Sequence, residues 1–201
     1  MKYHIEKNTI QETLVIPLYA RALCTRRFPH LFSDPLSVEL LEQLDYDFSA
    51  LERTSGSLMQ TFGAMEAAMR QSDLAWEVRD YLADHPQAAV VNLGCGLDQT
   101  GRSCDNGQCR LFSIDLPDVM AVREALLHAG KREKNLAADL NDLSWFDAID
   151  TPLEDGAVFF AAGVFYYFRT EQVQALCAAM ARRFPGGRLV FDAAGQTAVK
   201  L

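Results

Sequence analysis

The sequence lacks several features that mark particular classes of protein. It has no run of Lys and Arg, and 19 basic against 27 acidic residues give a formal net charge of −8. Because phosphate binding requires concentrated positive charge, this balance argues against nucleic acid or an anionic membrane as a partner. No stretch is apolar over the length needed to cross a bilayer, and the N-terminal MKYHIEKNTIQETL has no apolar signal-peptide core. We therefore expect a soluble, cytoplasmic protein.

The five cysteines follow no recognisable disulfide or metal pattern. Their number is odd and no CxxC pair occurs, in a chain of 201 residues that can bury a core without covalent cross-links. Cys95, Cys104 and Cys109 lie in one stretch, but their irregular spacing is not typical of a zinc site. We expect free thiols and no bound metal.

The first 86 residues show the spacing of amphipathic helices. One helix is predicted from Ser33 to Leu44, where Asp34-Pro35 supplies a start signal. A second apolar stripe continues to the break before Pro86 and comprises Leu58, Phe62, Met65, Met69, Leu74, Val78, Tyr81 and Leu82. Such a Met-rich stripe can line an apolar substrate pocket, although it is more often ordinary core.

After Pro86 the pattern is that of a parallel sheet. Two helical stretches, one begun by Pro117 and one ended by Pro185-Gly186-Gly187, are long enough to be crossovers between parallel strands. Five strands are visible, AVVNLG, RLFSID, NLAAD, AVFFAAG and RLVFDA. The sequence therefore predicts one α/β domain over residues 1–201, with a helical N-terminal extension over 1–86 and a sheet-containing core over 87–201.

The stretch from Val90 to Asp118 has the pattern of a pocket for an adenosine-containing cofactor. Gly94 and Gly96 allow a sharp turn after a strand, and Asp115 ends the next strand, where an acid can accept from ribose hydroxyls. The same spacing is also compatible with a simple tight turn. Gln99 replaces the third glycine of the dinucleotide pattern, which favours an adenosyl ligand without diphosphate. The polar loop from Gln99 to Gln108 is predicted to lie on the surface.

Several segments together carry a family resemblance. They are VVNLGCGLD, DNG, SIDLPDVMAVREALL, ETLVIPLYARAL, FSDPLSVELLEQLDYDFS, AADLND, AAGVFYYF and FPGGRLVFDA. This set resembles the S-adenosylmethionine-dependent leucine carboxyl methyltransferase family, in its bacterial branch of polyketide O-methyltransferases of the tetracenomycin type. The resemblance implies a Rossmann-like class I methyltransferase sheet, mostly parallel. It also implies transfer of a methyl group from S-adenosylmethionine to a carboxylate or phenolic hydroxyl of a small, polyketide-like molecule.

The resemblance assigns the cofactor's methionine end and its ribose to the first two strand ends. Gly94, Cys95 and Gly96 would face the methionine end through their backbone groups. Asp115, followed by Leu116, would hold the ribose hydroxyls. The helical N-terminal segments would cover this cofactor face.

The adenine and carboxylate ends of the cofactor are assigned to other segments. By the same resemblance, the Asp139 carboxylate would accept from the adenine amine, and the Leu140 backbone N–H would donate to the ring. Arg70 would clamp the cofactor's carboxylate with its planar guanidinium, and Arg21 is a weaker candidate for the same anionic end. Either arginine could instead be an ordinary helix residue.

Two departures from the family pattern bear on activity. Many relatives have Glu-Gly after the fourth strand, where the acid holds the cofactor's ammonium, but this chain has Ala162-Gly163. The chain also stops at Leu201, whereas relatives continue into the last two of the usual seven strands. These departures indicate an alternative, a truncated and catalytically inactive S-adenosylmethionine-binding protein. An open sheet edge would also favour an edge-paired homodimer.

No residue is nominated as the catalytic base. None of the four histidines lies in a motif that suggests the role, and a carboxylate acceptor would not need one. Tyr166 and Tyr167 follow the fourth strand and are candidates to border the acceptor pocket. A nicotinamide-dependent oxidoreductase is a rival interpretation that the glycine turn and Asp115 permit and that Gln99 disfavours.

Overall fold

The structure is a computed structural model that describes residues 2–193. Leu201, on which the expectation of a truncated chain rests, lies outside the described residues. The strands of the described part are β1 (Tyr3–His4), β2 (Leu44–Asp45), β3 (Ala89–Leu93), β4 (Arg110–Asp115), β5 (Glu133–Ala137), β6 (Ala157–Ala161) and β7 (Arg188–Phe191). Its α-helices are α1 (Val15–Arg27), α2 (Pro35–Gln43), α3 (Ser49–Thr54), α4 (Leu58–Asp84), α5 (Thr100–Ser103), α6 (Pro117–Leu126) and α7 (Thr170–Arg183). Short 3-10 helices cover Ile10–Leu14, Leu143–Ala148, Leu153–Asp155 and Phe165–Tyr167.

The chain divides into two compact units. Of the described residues, the first unit comprises 2–73, Gly96–Asp98 and Asp118–His128. The second unit comprises Leu74–Cys95, Gln99–Pro117 and 129–193. The single domain with an extension over residues 1–86 stays a prediction.

The second unit is organised by a five-stranded sheet in the order β5-β4-β3-β6-β7, with all pairs parallel. The five predicted strands and their parallel pairing are confirmed, although the third strand begins two residues before the predicted NLAAD, at Glu133, and ends at Ala137. The strand order reverses at β3, since the chain moves outward through β4 and β5 and then returns to place β6 on the other side. In open α/β sheets, ligands bind at the carboxyl ends of the strands beside such a reversal.

The central strands are buried on both faces. All five residues of β3 and all five of β6 are buried, as expected for near-continuous apolar runs in a parallel sheet. Val91 and Phe159 contribute to the cluster that packs with α7 and the Leu143–Ala148 helix. Val90 and Phe160 contribute to the cluster on the other face, which packs with the part of α4 from Leu74 onward.

Proline and glycine punctuate the helices where the sequence predicts it. Helix α6 begins at Pro117, and α7 ends at Arg183 before the Pro185-Gly186-Gly187 segment, in which Gly186 has a φ of +80°. Helix α4 ends at Asp84, before Pro86. The predicted helix from Ser33 to Leu44 is shorter than expected, because Leu44 adopts an extended conformation and begins β2.

The loop from Gln99 to Gln108 is only partly on the surface, which corrects the prediction. Its first half forms α5, with Gln99, Thr100 and Cys104 buried. The second half is exposed and turns at Asn106, whose Oδ1 accepts from the backbone N–H groups of Gln108 and Cys109, both at 2.9 Å. Polar residues can be buried here because a helical turn satisfies their backbone groups.

None of the five cysteines, all of which lie among the described residues, forms a disulfide bond. Burial raises the pKa of the Cys24 and Cys109 thiols, which favours their protonated form. Across residues 2–193, the helices are all too short or too polar to cross a membrane.

In the first unit, Asp34 joins two helices. Its Oδ1 accepts from the Ser37 backbone N–H at 3.1 Å and thereby caps α2, while Oδ2 accepts from Arg21 Nε of α1, also at 3.1 Å. The Arg21 and Asp34 side chains are only 8% and 11% exposed. The cap and the buried ion pair therefore depend on one carboxylate.

We expect Asp34→Ala to lower the free energy of unfolding by about 3 to 5 kcal/mol, because it leaves the buried Arg21 guanidinium without its carboxylate. Equilibrium urea denaturation measures this loss. The matched control is Asp142→Ala, which removes an exposed cap whose Oδ1 accepts from Ser144 N at 3.1 Å. The control should cost about 1 kcal/mol. Equal losses in the two variants would show that the ion pair adds nothing to the cap.

Candidate functional site

The chain leaves β3 through a turn that only glycine fits. Gly94 has a φ of +62°, and a Cβ placed on it would lie 2.5 Å from Val164 Cγ2 and 3.0 Å from Cγ1. Val164 belongs to the segment that follows β6. The turn therefore brings the ends of β3 and β6 into close contact, beside the point where the strand order reverses.

The next two residues continue the turn. The Cys95 backbone N–H donates to the Ile114 carbonyl of β4 at 3.0 Å, which ties the turn to the neighbouring strand. Gly96 has a φ of +46°, and a Cβ on it would meet Leu14 Cδ2 at 2.9 Å. Gly94 and Gly96 are thus both required by backbone conformation, as the sequence pattern indicates.

Asp115 ends β4 with a partly buried carboxylate. Its Oδ1 accepts from the backbone N–H of the exposed Leu116 at 2.8 Å, an interaction that orients the carboxylate. Its carbonyl accepts from the Ala138 N–H at 2.8 Å, which places the segment after β5 beside it. Asp115 therefore sits on the strand end next to the glycine turn.

The segment after β5 presents a second carboxylate. Asp139 is exposed, and its Oδ1 accepts from the backbone N–H of Asn141 at 2.9 Å and from Asn141 Nδ2 at 2.8 Å. Leu140 is buried in the cluster that covers one face of the sheet. The local turn thus directs one residue of the predicted pair outward and the other inward.

Ala162 follows β6 and brings no carboxylate to this strand end. The next residue, Gly163, donates its N–H to Asp192 Oδ1 at 2.7 Å, and Tyr166 donates its hydroxyl to Asp192 Oδ2 at 3.1 Å. Tyr166 and Tyr167 are exposed. Asp192 therefore fixes the segment that carries both tyrosines.

Asp192 was not singled out from the sequence. The signal that could have found it is its position directly after β7, since Asp115 likewise stands at the carboxyl end of its strand, β4. A carboxylate at that position lies next to the carboxyl end of β6, because the two strands are parallel neighbours.

The structure places the strand-end candidates at or just beyond the carboxyl ends of the strands of one sheet. These are Gly94, Cys95, Asp115, Leu116, Asp139, Leu140 and Ala162, all in the second unit. The two candidate arginines belong to the first unit. Arg70 is half-buried on α4, and Arg21 is buried on α1, where it contacts Asp34 and the Leu97 carbonyl. Their roles toward a cofactor stay predictions.

Comparison with solved structures shows which fold this is. A protein from Thermobifida fusca YX assigned as a methyltransferase superimposes with a TM-score of 0.53, over 94% of this chain and 73% of that one, at 18% sequence identity. The protein has the fold of the class I methyltransferases.

Sequence comparison shows the family. The model of the family described as leucine carboxyl methyltransferase matches residues 15–181, so the chain belongs to that family, as its motifs predict. It is 31% identical over 186 residues to the tetracenomycin polyketide synthesis O-methyltransferase TcmP of Streptomyces glaucescens. That match covers 92% of this chain and 66% of the relative, so the chain spans just under two thirds of the relative's length.

Left-handed backbone strain at a residue other than glycine costs about 1 to 2 kcal/mol. We expect Gly94→Ala to destabilise the protein by more than this, because the new methyl group would also overlap Val164. Gly186→Ala is the matched control, since Gly186 has a φ of +80° and a Cβ added to it would have no neighbour within 4 Å. Thermal and urea unfolding of both variants measure the difference. Adding Val164→Ala to Gly94→Ala should recover part of the loss, and no recovery would contradict the proposed overlap.

Proposed function

We propose that this protein is an S-adenosylmethionine-dependent O-methyltransferase that acts on a carboxylate or phenolic hydroxyl of a small, polyketide-like molecule. The observation that carries the proposal is the oriented Asp115 carboxylate on the strand end beside the Gly94 turn. The family and the likeness to a tetracenomycin O-methyltransferase support the reaction class and the kind of acceptor.

The strand-end residues fit the cofactor's adenosyl part chemically. A carboxylate in the position of Asp115 can accept from both ribose hydroxyls. The exposed Asp139 carboxylate can accept from the adenine amine, and the N–H of Leu140 can donate to the ring. Backbone groups of Gly94, Cys95 and Gly96 would bind the methionine end, where the absence of a Cβ on the glycines allows close approach.

Alignment is the main task of the protein in this reaction. When bound, S-adenosylmethionine supplies a methyl group already activated on a sulfonium, which the acceptor oxygen displaces. Holding two reactants in line can remove about 7 to 11 kcal/mol of barrier in favourable cases. Tyr166, oriented by Asp192, and the neighbouring Tyr167 are the proposed border of the acceptor pocket.

The cofactor's amino acid end is the point of divergence between two candidate functions. Ala162 offers only its backbone carbonyl to the ammonium, while Arg70 is proposed to clamp the carboxylate. The alternative is a protein that binds S-adenosylmethionine without turnover, and the observation that favours it is the missing side-chain carboxylate at residue 162. Both candidates require binding of the cofactor, and only the first requires a methylated product.

We expect the protein to bind S-adenosylmethionine and S-adenosylhomocysteine, and Asp115→Ala to abolish this binding, because the ribose hydroxyls lose their acceptor. Isothermal titration calorimetry with each ligand, and with NAD for comparison, measures the affinities. A ligand that binds only the folded state also raises the melting temperature, which gives a second readout.

The matched control for Asp115→Ala is Asp118→Ala, which removes an exposed carboxylate three positions along the chain. This control should keep the affinity for both adenosyl ligands. Binding of NAD but of neither adenosyl ligand would support the oxidoreductase instead. Unchanged affinity in Asp115→Ala would show that the ribose is held elsewhere.

We expect methyl transfer from labelled S-adenosylmethionine to at least one member of a panel of aromatic carboxylic acids and phenols. Ala162→Glu should tighten binding of S-adenosylmethionine, because it places a carboxylate near the cofactor's ammonium. Ala162→Gln is the control for side-chain size without charge. Cofactor binding by both the wild type and Ala162→Glu, with no methylated product from either, would favour the inactive protein.

A further inference from the structure

The loop Gly96–Asp98 is held by its backbone carbonyls. Arg123 Nη1 donates to the Gly96 carbonyl and to the Asp98 carbonyl, each at 2.9 Å. Arg21 Nη2 donates to the Leu97 carbonyl between them at 3.1 Å. Three consecutive carbonyls therefore accept from two guanidinium groups, and all of these residues belong to the first unit.

Arg123 lies where an apolar residue would be expected. It is 2% exposed and sits on α6 among the buried Val119, Met120 and Val122. Burying a guanidinium costs several kcal/mol of solvation free energy unless hydrogen bonds replace the lost water. A cation at this position therefore needs hydrogen-bond acceptors in the protein. The two carbonyls of the loop supply acceptors for it. The location and the contacts together indicate that Arg123 serves the loop.

Arg21 is oriented toward the same loop by a carboxylate. Its Nε donates to Asp34 Oδ2 at 3.1 Å, and this pair is buried. A guanidinium is planar, so fixing Nε also fixes the direction of Nη2 toward Leu97. The side chain of Asp98 is held in addition, because its Oδ1 accepts from Gln71 Nε2 of α4. Helices α1, α4 and α6 therefore each contribute one donor side chain to a three-residue loop.

We propose that Arg123 and Arg21 are positioning residues that hold Gly96–Asp98 in the conformation in which Gly96 binds the cofactor's methionine end. This inference rests on the proposed function. A loop fixed before the ligand arrives does not lose conformational freedom on binding, which raises affinity without any direct contact. The role differs from the clamp considered for Arg21 from sequence, since Arg21 here acts on the backbone and not on the ligand.

The experiment uses Arg123→Met, which keeps the length and apolar stem of the side chain but removes its donors, and Arg123→Lys, which keeps the charge and one donor group. The control is Arg188→Met. Arg188 Nη1 also donates to a backbone carbonyl, that of Glu77 at 3.2 Å, and pairs with Asp80 at 2.7 Å, and all three residues belong to the second unit. Two readouts are taken on each variant: amide hydrogen exchange of the peptide 94–100, and the Kd for S-adenosylhomocysteine by calorimetry.

We expect Arg123→Met to speed exchange within 94–100 by about tenfold or more relative to the rest of the chain. The Kd should rise by a similar factor, and Arg123→Lys should lie between Met and the wild type. Arg188→Met should lower the melting temperature without changing either readout. If Arg123→Met does not fold, Arg123→Lys alone carries the same comparison.

Exchange in 94–100 that is unchanged, or that rises evenly over the whole chain, overturns the holding of the loop. Faster exchange in 94–100 with an unchanged Kd overturns the link to the cofactor. A wild-type protein that does not bind S-adenosylhomocysteine defeats the proposed function and the link to the cofactor together. In that case the exchange data still decide whether the arginines hold the loop.

Discussion

The constraint on which the site depends is the pairing of β3 along both of its edges. Its backbone groups are engaged by β4 on one side and by β6 on the other, over the full length of the strand. Backbone groups for a ligand therefore become available only where β3 ends and its neighbours diverge. Gly94, Asp115 and the segment after β6 all lie at the carboxyl ends of the strands. The topology of the sheet therefore decides where a ligand can bind.

The sheet and the main helices were predictable from sequence because their signals are long and locally consistent. Continuous apolar runs mark β3 and β6. Pro117 marks the start of α6, and Pro185-Gly186-Gly187 marks the end of α7. The pair β1 and β2 was not predicted, since two residues per strand carry no periodicity. The polar composition of the Gln99–Gln108 loop predicts exposure. It does not reveal that a helical turn satisfies the backbone groups there and so allows part of the loop to be buried.

The placement of Asp115 at the end of β4 and of Asp139 shortly after β5 was predictable from the sequence, while their roles toward a cofactor stay predictions. Contacts in which a long side chain reaches back to the main chain were not predictable. Arg123 interrupts the apolar face of α6, and only the structure shows that its guanidinium meets two carbonyls. Asp192 likewise acts through the N–H of Gly163 and the hydroxyl of Tyr166. Such contacts join residues far apart in sequence.

The carbonyls of Gly96, Leu97 and Asp98 have a consequence for how this protein can drift in sequence. Every amino acid carries the same carbonyl, so a residue such as Leu97 can be exchanged while the oxygen that Arg21 binds remains. Substitutions at Leu97 would then occur without a matching change in Arg21. Searches for pairs of positions that change together would not register this network, although it restricts the shape of the loop. Only the two donor residues, Arg21 and Arg123, would be constrained in sequence by these hydrogen bonds.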